Sequence, residues 1–243
     1  MTPAIVLQNL TKRYGDRTVV DHLNFSIAQG ELFALLGVNG AGKTTTIKML
    51  SCLTKPTEGD ALLMGHSICT ASQSVKSVIG ISPQETAIAP NLNVRENLEF
   101  IAGIYGADRV TARSRATELI ETFSLHSVER QKARTLSGGW QRRLSIAMAL
   151  ASNPQILFLD EPTLGLDILA RRELWNLLQA LRGNHTIVLT THYLEEAEAL
   201  SDRIAILADG ALCALGTASS LKQSAGCARF EDAFVTLVSR KVV

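Results

Sequence analysis

The sequence predicts an α/β fold with a mostly parallel sheet core, an N-terminal antiparallel β subdomain and an all-helical insert. Three observations lead there. Short apolar runs at 156–159, 186–190 and 203–207 alternate with helical stretches, the pattern of a parallel sheet covered on both faces. Between residues 93 and 152, apolar side chains recur at helical spacing (Leu98, Ile101, Ala102, Tyr105, then Leu119, Ile120, Phe123) with no clear strand among them. Ahead of both, two β-rich runs are separated by a turn.

Taken in order, residues 4–10 and 18–27 are rich in β-branched and apolar side chains, and Tyr14-Gly15-Asp16 supplies the turn. Residues 31–36 form a third strand that runs straight into a glycine-rich loop. Residues 43–53 have helical composition and stop before Lys55-Pro56-Thr57-Glu58-Gly59, where proline and glycine favour a turn. Short strands follow at 60–64 and 78–82. The helical insert covers about 87–153, with a helix at 140–151. Beyond it, helices at 168–181 and 193–200 separate the returning strands. With no internal repeat, low-complexity tract or linker, residues 1–218 read as one domain and 219–243 as a helical extension.

Composition narrows the function. Of 243 residues, 46% are hydrophobic and 19% charged, an ordinary globular balance. Twenty-four basic against twenty-three acidic residues give a net charge of +1, so no broad field attracts nucleic acid or anionic lipid. No apolar run approaches the roughly 20 residues of a membrane helix. The start, Met1-Thr2-Pro3, has no basic segment leading into an apolar one, so no signal peptide is expected. Cys52, Cys69, Cys213 and Cys227 lack metal-ligand spacing and are expected to be buried free thiols in a reducing cytoplasm.

The chemistry is concentrated in four places. Residues 37–44, Gly37-Val38-Asn39-Gly40-Ala41-Gly42-Lys43-Thr44, fit G-x-x-x-x-G-K-[ST] between an apolar strand and a helix. Glycines there let successive backbone N–H groups turn in around phosphate oxygens, and the helix N-terminus adds positive potential. Lys43 would bridge the β- and γ-phosphates, and Thr44 would offer its hydroxyl to Mg²⁺. The apolar run 156–159 ends in Asp160 and Glu161, at the end of a parallel strand where α/β sheets keep their ligand chemistry. Asp160 suits Mg²⁺, and Glu161 is placed to take a proton from an attacking water. Taken alone, the pair could also cap a helix before Pro162-Thr163. Gln84 follows a strand and could touch both metal and water, and His192 ends another strand, where it could donate to a γ-phosphate. A second loop, Leu136-Ser137-Gly138-Gly139, opens a helix and offers a hydroxyl and backbone N–H groups to an anion. One ATP does not need two such ends from one chain; two ATPs held between two identical chains do.

In this order the residues resemble the ATPase subunit of an ATP-binding cassette (ABC) transporter, over about residues 4–216. Tyr14 matches the aromatic that stacks on adenine and 37–44 the Walker A loop, with Thr45 beside Thr44. Gln84 matches the Q-loop, 136–140 the signature, 156–161 Walker B, Gly165-Leu166-Asp167 the D-loop and His192 the switch histidine; 201–205 look like the segment that follows it. The resemblance implies a P-loop NTPase that binds and hydrolyses ATP with Mg²⁺. It implies a second copy in an ATP-sandwich dimer, integral membrane permease subunits as partners and a cytoplasmic, peripheral location on the inner face of the membrane. Residues 91–98 and 230–234 are similar to export-type subunits of the drug-resistance and ABC-2 kind. Two departures stand out: Trp140 where glutamine is usual, and Ile168 where proline is common, which leaves the D-loop less rigid. The alternative is a non-transport ABC ATPase acting on DNA or ribosomes. One cassette, no sustained heptads and a charge of +1 weigh against it. A GTPase lacks its Asn-Lys-x-Asp motif here.

Overall fold

The structure is a computed structural model that describes residues 3–240. Met1 and Thr2, on which the signal-peptide expectation partly rests, and the last three residues of the expected extension lie outside the described residues. The chain opens with β1 (Pro3–Tyr14) and β2 (Arg17–Ala28), an antiparallel pair closed by the two-residue turn Gly15-Asp16. β3 (Leu32–Leu36) leads through the glycine loop into α1 (Lys43–Leu50). β4 (Glu58–Leu63) and β5 (His66–Ser67) return beside β1, giving a four-stranded antiparallel sheet in the order β2-β1-β4-β5.

α2 (Ser72–Val78) and β6 (Ile79–Ser82) precede the helical segment, which is built from α3 (Val94–Ile104), α4 (Arg109–Thr122), two short 3₁₀ turns and α5 (Gly138–Ala149). The second sheet is completed by β7 (Ile156–Asp160), α6 (Ile168–Leu181), β8 (Thr186–Thr191), α7 (Leu194–Leu200), β9 (Arg203–Ala208) and β10 (Ala211–Gly216). Its order is β10-β9-β3-β8-β7-β6, with every pair from β9 to β6 parallel and β10 antiparallel at the edge. α8 (Ala218–Ala225) and α9 (Phe230–Ser239) close the described chain.

The central strands are buried end to end because each serves two cores. On β3, Phe33 and Leu35 face a core shared with the antiparallel sheet and α1, while Leu32, Ala34 and Leu36 face a core built by the helices. Phe158 on β7 and Val188 on β8 join the first; Leu157, Leu159, Ile187 and Leu189 join the second. Side chains alternate along a strand, so the parity of a residue decides which layer it meets. Phe230, Ala233 and Leu237 of α9 belong to the helical core, so the described residues after 218 pack on the body of the fold.

Several expectations need correction. α1 stops at Leu50, not 53: Ser51 Oγ bonds back to the Ile47 carbonyl, Cys52 adopts φ 58° and both Leu53 and Thr54 donate to the Lys48 carbonyl. α5 runs from 138 to 149 rather than 140–151, so Gly138 and Gly139 form its first turn. α2, β5 and β10 have no counterpart in the sequence reading. The cysteines are not buried: Cys69 is exposed and the other three are half-buried. Desolvation and the Asp60 carboxylate push the Cys69 thiol up to about 11, which keeps it protonated and unreactive.

Candidate active site

The site lies at the carboxyl ends of β3, β6, β7 and β8. A cavity of about 650 Å³ opens there, lined by Tyr14, Asn39, Gly40, Ala41, Gly42, Lys43, Thr44, Thr45, Gln84, Glu161 and His192, together with Arg17, Val19 and Leu164. Three other expected residues, Ser137, Gly138 and Gly139, do not line it. Gly37 and Asp160 act from its wall through hydrogen bonds to Lys43 and Thr44.

The glycine loop is shaped by what it must fit beside. Gly42, the N-cap of α1, has φ 94°, and a Cβ there would stand 2.6 Å from the Val19 carbonyl. Only glycine takes that backbone without strain. It lets the loop lie against β2 and puts the first turn of α1, whose N–H groups have no partner within the helix, on the cavity wall. Lys43 is buried, and its Nζ donates to the carbonyls of Gly37 (2.7 Å) and Val38 (3.2 Å), with Glu161 Oε1 3.5 Å away.

The parity of β7 explains the acidic pair. Asp160 shares the face of Phe158, so it meets α1. Thr44 Oγ1 donates to its Oδ1 (3.1 Å) and Thr190 Oγ1 donates to the same atom (2.5 Å). Glu161 leaves the strand at φ 49°, a left-handed conformation that costs a non-glycine residue of order 1 kcal/mol and turns its side chain toward the cavity. Its backbone N–H is caught by Thr190 Oγ1 at 3.0 Å, and its Oε2 lies 2.7 Å from His192 Nδ1. The carboxylate is thus buried between an ammonium and an imidazole. A helix cap, the bland reading of Asp160-Glu161, is excluded because no helix starts there.

The donors near Thr44 are one carboxylate, one hydroxyl and the Gln84 amide, all hard oxygens. Among the described residues no cluster of three or more His, Cys, Asp or Glu could cage a metal. That set fits a cation that keeps most of its shell as water and phosphate oxygen, which describes Mg²⁺.

Around Tyr14 the picture is looser. The ring is half exposed, with Lys12 Nζ 4.9 Å from its centroid. At the second loop, Ser137 caps α5 in extended conformation (φ −64°, ψ 160°), and its side chain makes no capping bond. Trp140 lies under the Arg143 guanidinium, 4.7 Å from it, and Gln141 turns inward to the carbonyls of Ala133 and Leu136. Asp167 caps α6, and Ile168 after it is 71% exposed.

Thr190, Arg142 and Glu196 escaped the sequence reading, since nothing local marks them. Glu196 is fully buried on α7, accepts from Trp175 Nε1 at 3.2 Å and, among the described residues, leaves Oε2 without a partner. Burial pushes its carboxyl above the ordinary value, and the charge of Glu161 adds to the push.

Residues 20–164 match the family model described as ABC transporter. A daunorubicin resistance ATP-binding protein of Streptomyces coeruleorubidus is 41% identical over 94% of this chain and 72% of its own length. A Nod factor export ATP-binding protein of Ralstonia nicotianae is 41% identical over 88% of this chain and 67% of its own. Among solved structures, a dimeric ATP-binding cassette in a post-hydrolysis state with ADP and Pi superposes with a TM-score of 0.78. It is 30% identical, covering 88% of this chain and 98% of that one.

Proposed function

The chain belongs to the ABC transporter family and is an ATP-binding, ATP-hydrolysing transport subunit; from that premise we propose that it drives export, closing with a second copy on two ATPs beneath membrane permease subunits. What supports the reading most directly is the convergence of Lys43, Thr44, Gln84, Glu161 and His192, from separate elements, on one cavity.

Each residue has a task that its surroundings suit. Tyr14 packs on the adenine. Backbone N–H groups of Asn39 to Thr45 hold the phosphates, and Lys43 exchanges its carbonyl partners for β- and γ-phosphate oxygens. Thr44, Asp160 and Gln84 would hold Mg²⁺, which when bound supplies charge neutralisation on the phosphate oxygens. Glu161 accepts the proton of the attacking water as that oxygen bonds to the γ-phosphorus and the bond to the β-bridging oxygen breaks, releasing ADP. His192 fixes the Glu161 carboxylate through its 2.7 Å contact and orients the γ-phosphate. Ser137, Gly138 and Gly139 stand outside the cavity with the serine hydroxyl uncommitted to its helix. They complete the site of the partner, a two-fold, self-complementary arrangement.

Among the described residues no helix is long and apolar enough to cross a membrane, so contact with the bilayer runs through the permease. A groove of about 730 Å³ near Gln84, lined by Leu53, Ile81, Ile101, Ile104, Tyr105 and Met148, offers its cytoplasmic helix an apolar seat. Export follows the two relatives, one named for drug resistance and one for Nod factor export. The chain is therefore peripheral on the inner face of the membrane, with residues 1–218 as the ATPase domain.

Two variants test the assignment. Lys43→Ala should weaken ATP binding at least tenfold. Glu161→Gln should bind ATP within a few-fold of the parent and turn over at least a hundredfold more slowly. Near-parental turnover by Glu161→Gln would remove the base.

A further inference from the structure

Arg142 is a buried guanidinium with an unusual use. It is 6% exposed and, among the described residues, makes no ion pair within contact distance; Nη1 donates to the Pro83 carbonyl at 2.7 Å and Nη2 to the Gln84 carbonyl. Its neighbour Arg143 behaves conventionally, paired with Glu173 and stacked on Trp140. Burying a cation is costly unless its donors are met. Here they are met by the main chain of two consecutive residues, a target that the planar fork of arginine spans and a single ammonium does not. Desolvation pulls the group down from its ordinary value, and the Asp160 carboxylate partly offsets that.

The contact is part of a seam. Ser145 Oγ and Ser82 Oγ lie 2.9 Å apart, both buried, and a Cβ on Gly80 would stand 2.1 Å from the Ala149 carbonyl. Residues 142, 145 and 149 recur at three and four, so one face of α5 grips the segment 80–84 along its length. Ser137 caps the same helix, and Gly138 and Gly139 form its first turn, one turn before Arg142.

We propose that Arg142 is the positioning residue for Gln84: by clamping the carbonyls of Pro83 and Gln84 to α5, it ties the glutamine of one chain to the helix whose N-terminus meets the ATP of the other. The inference rests on the reading of Gln84 and of the second loop given above. A displacement of α5 as the partner's phosphate is engaged or released carries the Gln84 backbone with it, so hydrolysis in one site is sensed by the glutamine of the next.

The test is steady-state ATPase kinetics on the intact chain. Arg142→Met removes both donors and keeps an apolar stem of similar length. It should lower kcat at least tenfold while KM for ATP stays within threefold and the melting transition remains cooperative. Because Arg142 acts through Gln84, Arg142→Met added to Gln84→Ala should lower kcat no further than Gln84→Ala alone. If Gln84→Ala is impaired but Arg142→Met keeps kcat within twofold, or if the two losses multiply, the clamp is wrong and the Gln84 reading survives. If Gln84→Ala turns over like the parent, both fall. Should Arg142→Met fail to fold, Arg142→Lys retains the charge without the fork. A three- to tenfold loss in kcat at unchanged KM is then expected, and parental kcat overturns the proposal.

Discussion

Glu161 sits in a backbone conformation that its side chain does not favour, and Glu196 sits in a place its charge does not favour. The first is held by Thr190, which donates to Asp160 and accepts from the Glu161 N–H, so a single hydroxyl sets both acids. The second has a raised pKa, so between its unfolded and folded values the folded chain holds a proton that the unfolded chain has released. Stability contributed by that proton is present below the unfolded carboxylate pKa and is lost as pH rises toward the folded value, with a slope of at most about 1.4 kcal/mol per pH unit. Glu196→Gln removes the titration and fits the same space. Its melting temperature should gain on the parent steadily as pH rises above the ordinary carboxylate range. Two curves that stay parallel across that range would show Glu196 to be ionised in the folded chain.

At the scale of elements, α3 is fastened to the loop after Gln84 by one side chain. Asn97, fully buried, donates to the carbonyls of Ala89, Leu92 and Asn93 and accepts from the Ala89 N–H. Asn97→Ala leaves the Ala89 N–H unmet, while the three carbonyls keep backbone donors from Leu92, Ala133 and residue 97; the cost is about 2 kcal/mol, which for a chain of this size lowers the melting temperature by roughly 4–8 °C. A shift under 2 °C would mean that the loop closes without it. The same scale shows what the sequence could carry. The glycine loop was legible because its chemistry is contiguous, and the central strands because their burial on both faces leaves an unbroken apolar run. α2 was missed because Ser72, Ser74 and Ser77 leave no apolar period. β10 was missed because alanine, leucine and cysteine make a poor strand signature. Its hairpin turn, Asp209-Gly210 with both residues at positive φ, was a usable sign. Arg142 and Thr190 act on partners 58 and 30 residues away, and no local pattern announces such a contact.

For the whole molecule the governing feature is a division of labour. One core seats α1 and the glycine loop against the antiparallel sheet; the other seats α5 and its Ser137 end among the helices. The two glycine-rich helix ends of one chain belong to different layers, and the second does not reach the cavity of the first. A complete site thus needs two chains, and specific ATPase activity should rise with protein concentration until dimers dominate. The decisive measurement is sedimentation velocity of the Glu161→Gln chain with and without Mg²⁺ and ATP. A 26.3 kDa monomer is expected without nucleotide and a dimer when ATP is present, the dimer being lost when Ser137 is replaced by a bulky residue. A chain that binds ATP and stays monomeric at every concentration would contradict it.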